Sequence, residues 1–135
     1  MRHDLYHLET SRIAIEQTAL LDEAVRRIES GPPLSALEQS GVLHALQVLI
    51  ENAIGKAKQI LKAADEPVPV SAYDAFAALT RRGAIAAEQL KEWNAVIGLR
   101  NRIVQDYMNI DMNRVQEWAV SGKYRFVTDF LLQDW

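Results

Sequence analysis

Apolar residues recur at three- and four-residue intervals along almost the whole chain, and few stretches break the rhythm. That spacing lines one face of an α-helix, whereas a half-buried strand needs alternation with period two, which holds over no useful length here. The chain therefore reads as all-α. In the first segment Leu5, Leu8, Ile13, Leu20, Ala24 and Ile28 fall on or near one stripe, and Ser30-Gly31-Pro32-Pro33 ends it. A second helix starts at Ser35, with Glu38 three residues on, the spacing of a reciprocal capping box. Leu37, Leu43, Leu46, Ile50, Ala53, Ile54, Ala57 and Leu61 carry it to about Ala64, and Gly41 and Gly55 inside it offer room for close approach of another helix.

Asp65-Glu66-Pro67-Val68-Pro69 is the next break. Ser71 with Asp74 three on caps a short third helix, with Phe76 and Leu79 inward and Arg81-Arg82-Gly83 closing it. A fourth begins near Ala86 and runs past Tyr107, burying Leu90, Trp93, Ile97, Val104 and Tyr107. Asp111 caps a fifth, in which Val115, Trp118, Phe126 and Phe130 are spaced for packing. Five helices with short connections predict a five-helix up-and-down bundle.

A chain of 135 residues suits one domain, spanning 1–135. It has no cysteine, so disulfides, thiolate metal sites and cysteine nucleophiles are excluded, which fits a reducing, cytoplasmic setting. No apolar run approaches the roughly 18 residues that cross a membrane, and Met1-Arg2-His3-Asp4 does not open a secretory signal. A formal net charge of -3 argues against non-specific nucleic-acid binding over the whole surface. It leaves room for a local basic cleft, for which Arg81-Arg82 and Arg100 with Arg102 are the candidates. His3 and His7 are four apart on one helix face, but no third ligand accompanies them, so no metal and no cofactor is expected.

The densest polar patch in an apolar helix is Arg100-Asn101-Arg102-Ile103-Val104-Gln105-Asp106-Tyr107-Met108-Asn109-Ile110-Asp111. Its plain reading is a solvated helix face. The residue order points further. Arg100-Asn101, then Gln105, Asp106 and Tyr107, then Ile110-Asp111 resembles the motif of the HepT-like branch of the HEPN superfamily, with Gln105 standing where that branch carries histidine. Residues 46–54 resemble the branch's long second helix, and residues 69–79, with Tyr73, Phe76 and Leu79, resemble its proline-led stretch.

The resemblance covers roughly residues 35–115. It implies a HEPN-type helical bundle and a metal-independent endoribonuclease acting as the toxin of a type VII-like toxin–antitoxin pair. Its partner is a minimal nucleotidyltransferase antitoxin, and its active form is a homodimer with one composite cleft. Carried over by position, Arg100 and Asn101 are active-site residues, Gln105 takes the histidine's place, and Tyr107 is the acceptor that the antitoxin modifies with AMP.

At about 100° per residue, Arg100 and Tyr107 share a face, Asn101 and Gln105 share another, and Arg100 and Gln105 are about 140° apart. One straight helix cannot aim both at one phosphate. Either a two-fold axis brings the faces of two chains together or the helix kinks inside the motif. Metal-free RNA cleavage needs a base for the 2′-hydroxyl, a cation for the transition state and an acid for the leaving oxygen. Histidine suits proton transfer and arginine suits phosphate; glutamine hydrogen-bonds but does not titrate. Asp106 points about 100° away from Gln105 on such a helix, a free tyrosine side chain such as that offered at 107 ionises only at about pH 10, and a lone His44 reads as structural. Glu51 is placed to face the Arg100 helix and orient its guanidinium. These readings leave a catalytically weakened toxin, a non-catalytic binding partner of the nucleotidyltransferase, or a plain helical oligomer.

Overall fold

Three side chains start helices by accepting backbone N–H groups that the first turn leaves unpaired. Ser35 Oγ accepts from Glu38 N at 3.1 Å while Glu38 Oε1 accepts from Ser35 N at 2.8 Å, completing the capping box. Ser71 Oγ accepts from Asp74 N, and Asp111 Oδ1 from Asn113 N and Arg114 N. The computed structural model describes the backbone of residues 2–135 and the side chains of residues 4–135; His3, weighed above beside His7, lies outside those side chains. Among the described residues there are six α-helices and no strand: α1 (Arg2–Glu29), α2 (Ala36–Ala63), α3 (Ala72–Arg81), α4 (Leu90–Gln105), α5 (Met112–Val120) and α6 (Tyr124–Leu132). Short 3-10 turns lie at Ala87–Gln89 and Tyr107–Asn109.

The all-helical reading holds, and the count of five helices is corrected to six. The expected fifth helix is two, because the chain turns at Gly122, whose φ of 78° is the left-handed conformation that a residue with a Cβ rarely adopts. The fourth helix also stops short of Tyr107. Asp106 leaves helical geometry at φ -140°, and its Oδ1 accepts from Asn109 Nδ2 at 2.7 Å. Asp and Asn side chains compete in this way with the helical backbone, so the helix ends without glycine or proline.

α2 is the central element, packed against α1, α3, α4 and α6. Leu46, Leu49, Ile50, Ala53, Ala57 and Leu61 along it are fully enclosed. On its α3, α4 and α6 side, Trp93 stacks on Phe76 at 4.3 Å between ring centres and meets Phe126 and Phe130 at 4.7 and 4.8 Å. The close approach expected at the glycines of α2 occurs at Gly55, where an added Cβ would sit 3.3 Å from the Tyr6 hydroxyl; Gly41 faces open space.

The expected stripe on α1 is only partly buried. Leu5, Leu8 and Leu20 are exposed, while Thr10, Ala14, Thr18 and Leu21 face the core. Threonine tolerates this because its hydroxyl finds a partner: Thr18 Oγ1 and Thr128 Oγ1 are 2.7 Å apart. Leu37, Val104 and Tyr107, expected to be buried, are exposed as well, because Leu37 lies in the first turn of α2 and the other two at or beyond the last turn of α4.

Among the described residues one charged side chain is fully enclosed. Lys56 on α2 is 1% exposed, and its Nζ donates to the carbonyl oxygens of Phe130 and Gln133, with Leu131 O at 3.4 Å. It thereby satisfies the carbonyls that the end of α6 leaves open. Burial pushes its pKa down to about 8 from 10.5, against the pull of the Asp134 carboxylate. Between those values the unfolded chain holds a proton that the folded chain has released, so this group's contribution to stability rises with pH across the window. Lys56→Met leaves two buried acceptors without their donor, a loss on the order of 1–3 kcal/mol. In urea unfolding, the advantage of the native chain over Lys56→Met should grow from pH 7 to pH 10. A difference that stays flat over that range would refute the assignment.

Candidate functional site

A polar strip runs along α2. Ser40, Gln47 and Glu51 are separated by seven and four residues, which keeps all three within about 20° of one line on the helix. α4 and the turn after it lie along this strip in the opposite chain direction: Arg100 meets Glu51, and the later Tyr107 meets the earlier Ser40. Three motif residues, Arg100, Asn101 and Tyr107, are therefore positioned by contacts to α2 and α3.

The Arg100 side chain is 23% exposed. Its Nη1 lies 3.8 Å from Glu51 Oε2, close enough for an ion pair and too long for a hydrogen bond. Its Nε is buried and has no hydrogen-bond partner among the described residues. A guanidinium carries five N–H donors in a planar fork, so this one is oriented by Glu51 and keeps donors to give. Asn101 Nδ2 donates to the Tyr73 hydroxyl of α3 at 3.4 Å, and the same hydroxyl lies 3.7 Å from where a Cβ on Gly98 would sit. The Tyr107 hydroxyl and Ser40 Oγ are 2.9 Å apart, tying the 3-10 turn back to α2.

The remaining expected residues are not gathered with Arg100 in one chain. Gln105 is the last residue of α4 and is exposed. Asp106 is exposed and engaged with Asn109. No kink separates Arg100 from Gln105: α4 is continuous through both, and the chain leaves helical geometry only at Asp106. His44 borders a groove between α1 and α2 with Leu20, Ala24 and Leu34. Among the described residues no group of three or more His, Asp or Glu side chains is arranged to hold a metal ion, and no helix is long and apolar enough to cross a membrane.

Two residues of the site were not singled out from the sequence. Tyr73 stood in the family-like stretch without a role, since its contact with Asn101 depends on how α3 meets α4. Ser40 was discernible only as a polar position in register with Glu51. The arrangement offers amide and hydroxyl groups and a partly uncommitted guanidinium, which suits an anionic oxygen. The residues named in it supply no imidazole.

A family model described as "Ribonuclease HepT-like" matches residues 14–131. Among solved structures, the chain resembles a toxin–antitoxin crystal structure with AMP-PNP, at 21% identity and a TM-score of 0.66 over 88% of this chain and 97% of that one. It also resembles a tri-AMPylated Shewanella oneidensis HEPN toxin in complex with MNT antitoxin, at 23% identity and 0.66 over 87% and 95%. Identities this low speak for the shared fold. A search of curated proteins gives no significant match.

The Ser40–Tyr107 contact is open to a double-mutant cycle. Ser40→Ala and Tyr107→Phe should each destabilise the chain slightly, with a coupling energy of about 0.5–1.5 kcal/mol in urea unfolding. Strict additivity of the two changes would mean that the hydrogen bond does not hold the turn.

Proposed function

The chain belongs to the HepT-like ribonuclease family, and on that premise we propose that it is the toxin of a toxin–antitoxin pair that binds RNA and cleaves it slowly. The observation that supports this best is the Arg100 guanidinium, turned inward, oriented by Glu51 and left with an unpartnered buried Nε. Arginine holds phosphate oxygens through such donors and stabilises the added charge of a phosphorus-centred transition state. Residues 1–135 act as one domain. Two copies form the working unit, so that Gln105 of one chain approaches the Arg100 of its partner and the 140° between them on a single helix ceases to matter.

In this reaction the 2′-oxygen of a ribose attacks the adjacent phosphorus and the bond from phosphorus to the 5′-oxygen breaks. One proton leaves the 2′-hydroxyl and another reaches the departing 5′-oxygen. Arg100 and Asn101 hold the phosphate, and Gln105 positions it. Gln105 cannot exchange protons, so water takes both proton steps. Lack of a general acid–base group typically lowers a rate by about 10²–10⁴, which makes the chain a strong RNA binder for its turnover. The partner is a minimal nucleotidyltransferase, with Tyr107 as the hydroxyl that receives AMP; the solved relative described as tri-AMPylated and bound to MNT antitoxin supports that regulation. The setting is the cytoplasm.

A second reading has one observation in its favour, the exposed and non-titrating Gln105. In it the chain is a non-catalytic subunit of the nucleotidyltransferase and the cleft is its docking surface. An RNA cleavage assay in EDTA separates the two. Native protein should cut slowly, Arg100→Ala should fall at least about a hundredfold, and Gln105→His should rise by about 10² or more. If neither the native protein nor Gln105→His cuts RNA, the catalytic reading fails and the binding subunit stands.

A further inference from the structure

Arg102 was a candidate for a basic cleft, yet the proposed chemistry does not use it. It lies about 200° around α4 from Arg100, on the side that faces α5. There it borders a cleft of about 300 Å³ between α4, the 3-10 turn and α5. That volume is at the lower end of small-molecule sites. Leu99, Ile110 and Trp118 give it apolar and aromatic walls, and Arg102, Asp106 and Arg114 stand at its polar side.

The charges at this cleft are not mutually cancelled. Asp106 Oδ1 accepts from the Asn109 amide, and Asp111, which also borders the cleft, uses its Oδ1 to cap α5. Arg114 Nε is 3.8 Å from Asp111 Oδ2 in a loose, largely exposed pair. Arg102 makes no ion pair among the described residues, although Asp106, which borders the same cleft, is only four residues on. An uncommitted guanidinium beside an indole and an apolar wall is suited to one anionic group joined to one flat aromatic group. A ribonucleotide is such a ligand, because its base stacks on an aromatic ring and its phosphate takes the planar fork. The second carboxylate oxygen of Asp106 and the Asn109 side chain supply polar partners for the amino edge of a purine.

We propose that the cleft between α4 and α5 holds one unpaired purine nucleotide of a bound RNA strand, with its base against Trp118 and its phosphate on Arg102. The assignment rests on the RNA-binding reading above and adds a nucleotide subsite on the face of α4 turned away from Glu51. Asp106 and Asn109 flank the turn that carries Tyr107, so the same turn borders both sites.

Titration of tryptophan fluorescence with 5′-AMP and 5′-GMP, and with a six-nucleotide adenosine RNA, tests it. The native protein should be quenched by all three probes, and Trp118→Phe should lose that response while remaining folded by circular dichroism. Arg102→Gln, at an exposed position, should weaken mononucleotide binding about tenfold. It should also flatten the salt dependence of oligonucleotide binding by about 0.7 in log–log slope, the value for one phosphate contact on a single strand. Absence of quenching, quenching that persists in Trp118→Phe, or Arg102→Gln binding like the native chain would overturn the proposal. The two readings fail separately: nucleotide binding through Arg102 without any RNA cleavage sinks the ribonuclease and keeps the subsite. Cleavage with an indifferent Arg102 does the reverse.

Discussion

The burial of α2 against four other helices is the constraint from which the rest of the arrangement follows. A helix enclosed over most of its circumference has one narrow arc left for polar groups. Here that arc holds Ser40, Gln47 and Glu51. Whatever lies along it is drawn toward these three side chains, so the last turn of α4 and the 3-10 turn after it are positioned by α2. The Glu51 contact turns Arg100 inward, and the Ser40 contact returns Tyr107 to the bundle after the backbone has left helical geometry.

The same enclosure explains the buried charge at the opposite end. Lys56 lies on the core side of α2, where an isolated ammonium would be expensive to desolvate. It is tolerated because the end of α6 presents carbonyl oxygens at that point and the Phe130 ring lies 4.9 Å away. Tyr124 and Arg125 make a comparable tie at the other end of α6, both donating to Asp22 of α1. α6 is thus held by polar contacts at both ends and by the Trp93–Phe126–Phe130 aromatic cluster along its length.

The break after Gln105 links architecture to function. A continuous helix would have carried Tyr107 on the Arg100 face and run on beyond α2. The Asp106–Asn109 pair ends the helix and returns the chain toward Ser40 on one side. On the other side it opens the α4–α5 cleft. One irregular turn of a few residues therefore borders both the polar strip of α2 and an aromatic-walled cleft.

Much of the fold was legible because periodicity and caps are local. Three- and four-residue spacing marks helices, and Ser35, Ser71 and Asp111 mark their starts, since these signals need only neighbours within one or two turns. Residue order also singled out Arg100, Asn101 and Tyr107, whose side chains meet Glu51, Tyr73 and Ser40. What the chain alone left open depends on contacts between distant segments. Thr18 enters the core because the Thr128 hydroxyl lies across the bundle, while Leu5, Leu8 and Leu20 stay exposed. Ser40 and Tyr73 join the site only once α2, α3 and α4 are assembled. Residue order thus determined the helices and the motif, while tertiary packing decided which side chains face one another, because a hydrogen bond or ion pair forms only between groups that the fold brings within a few ångströms.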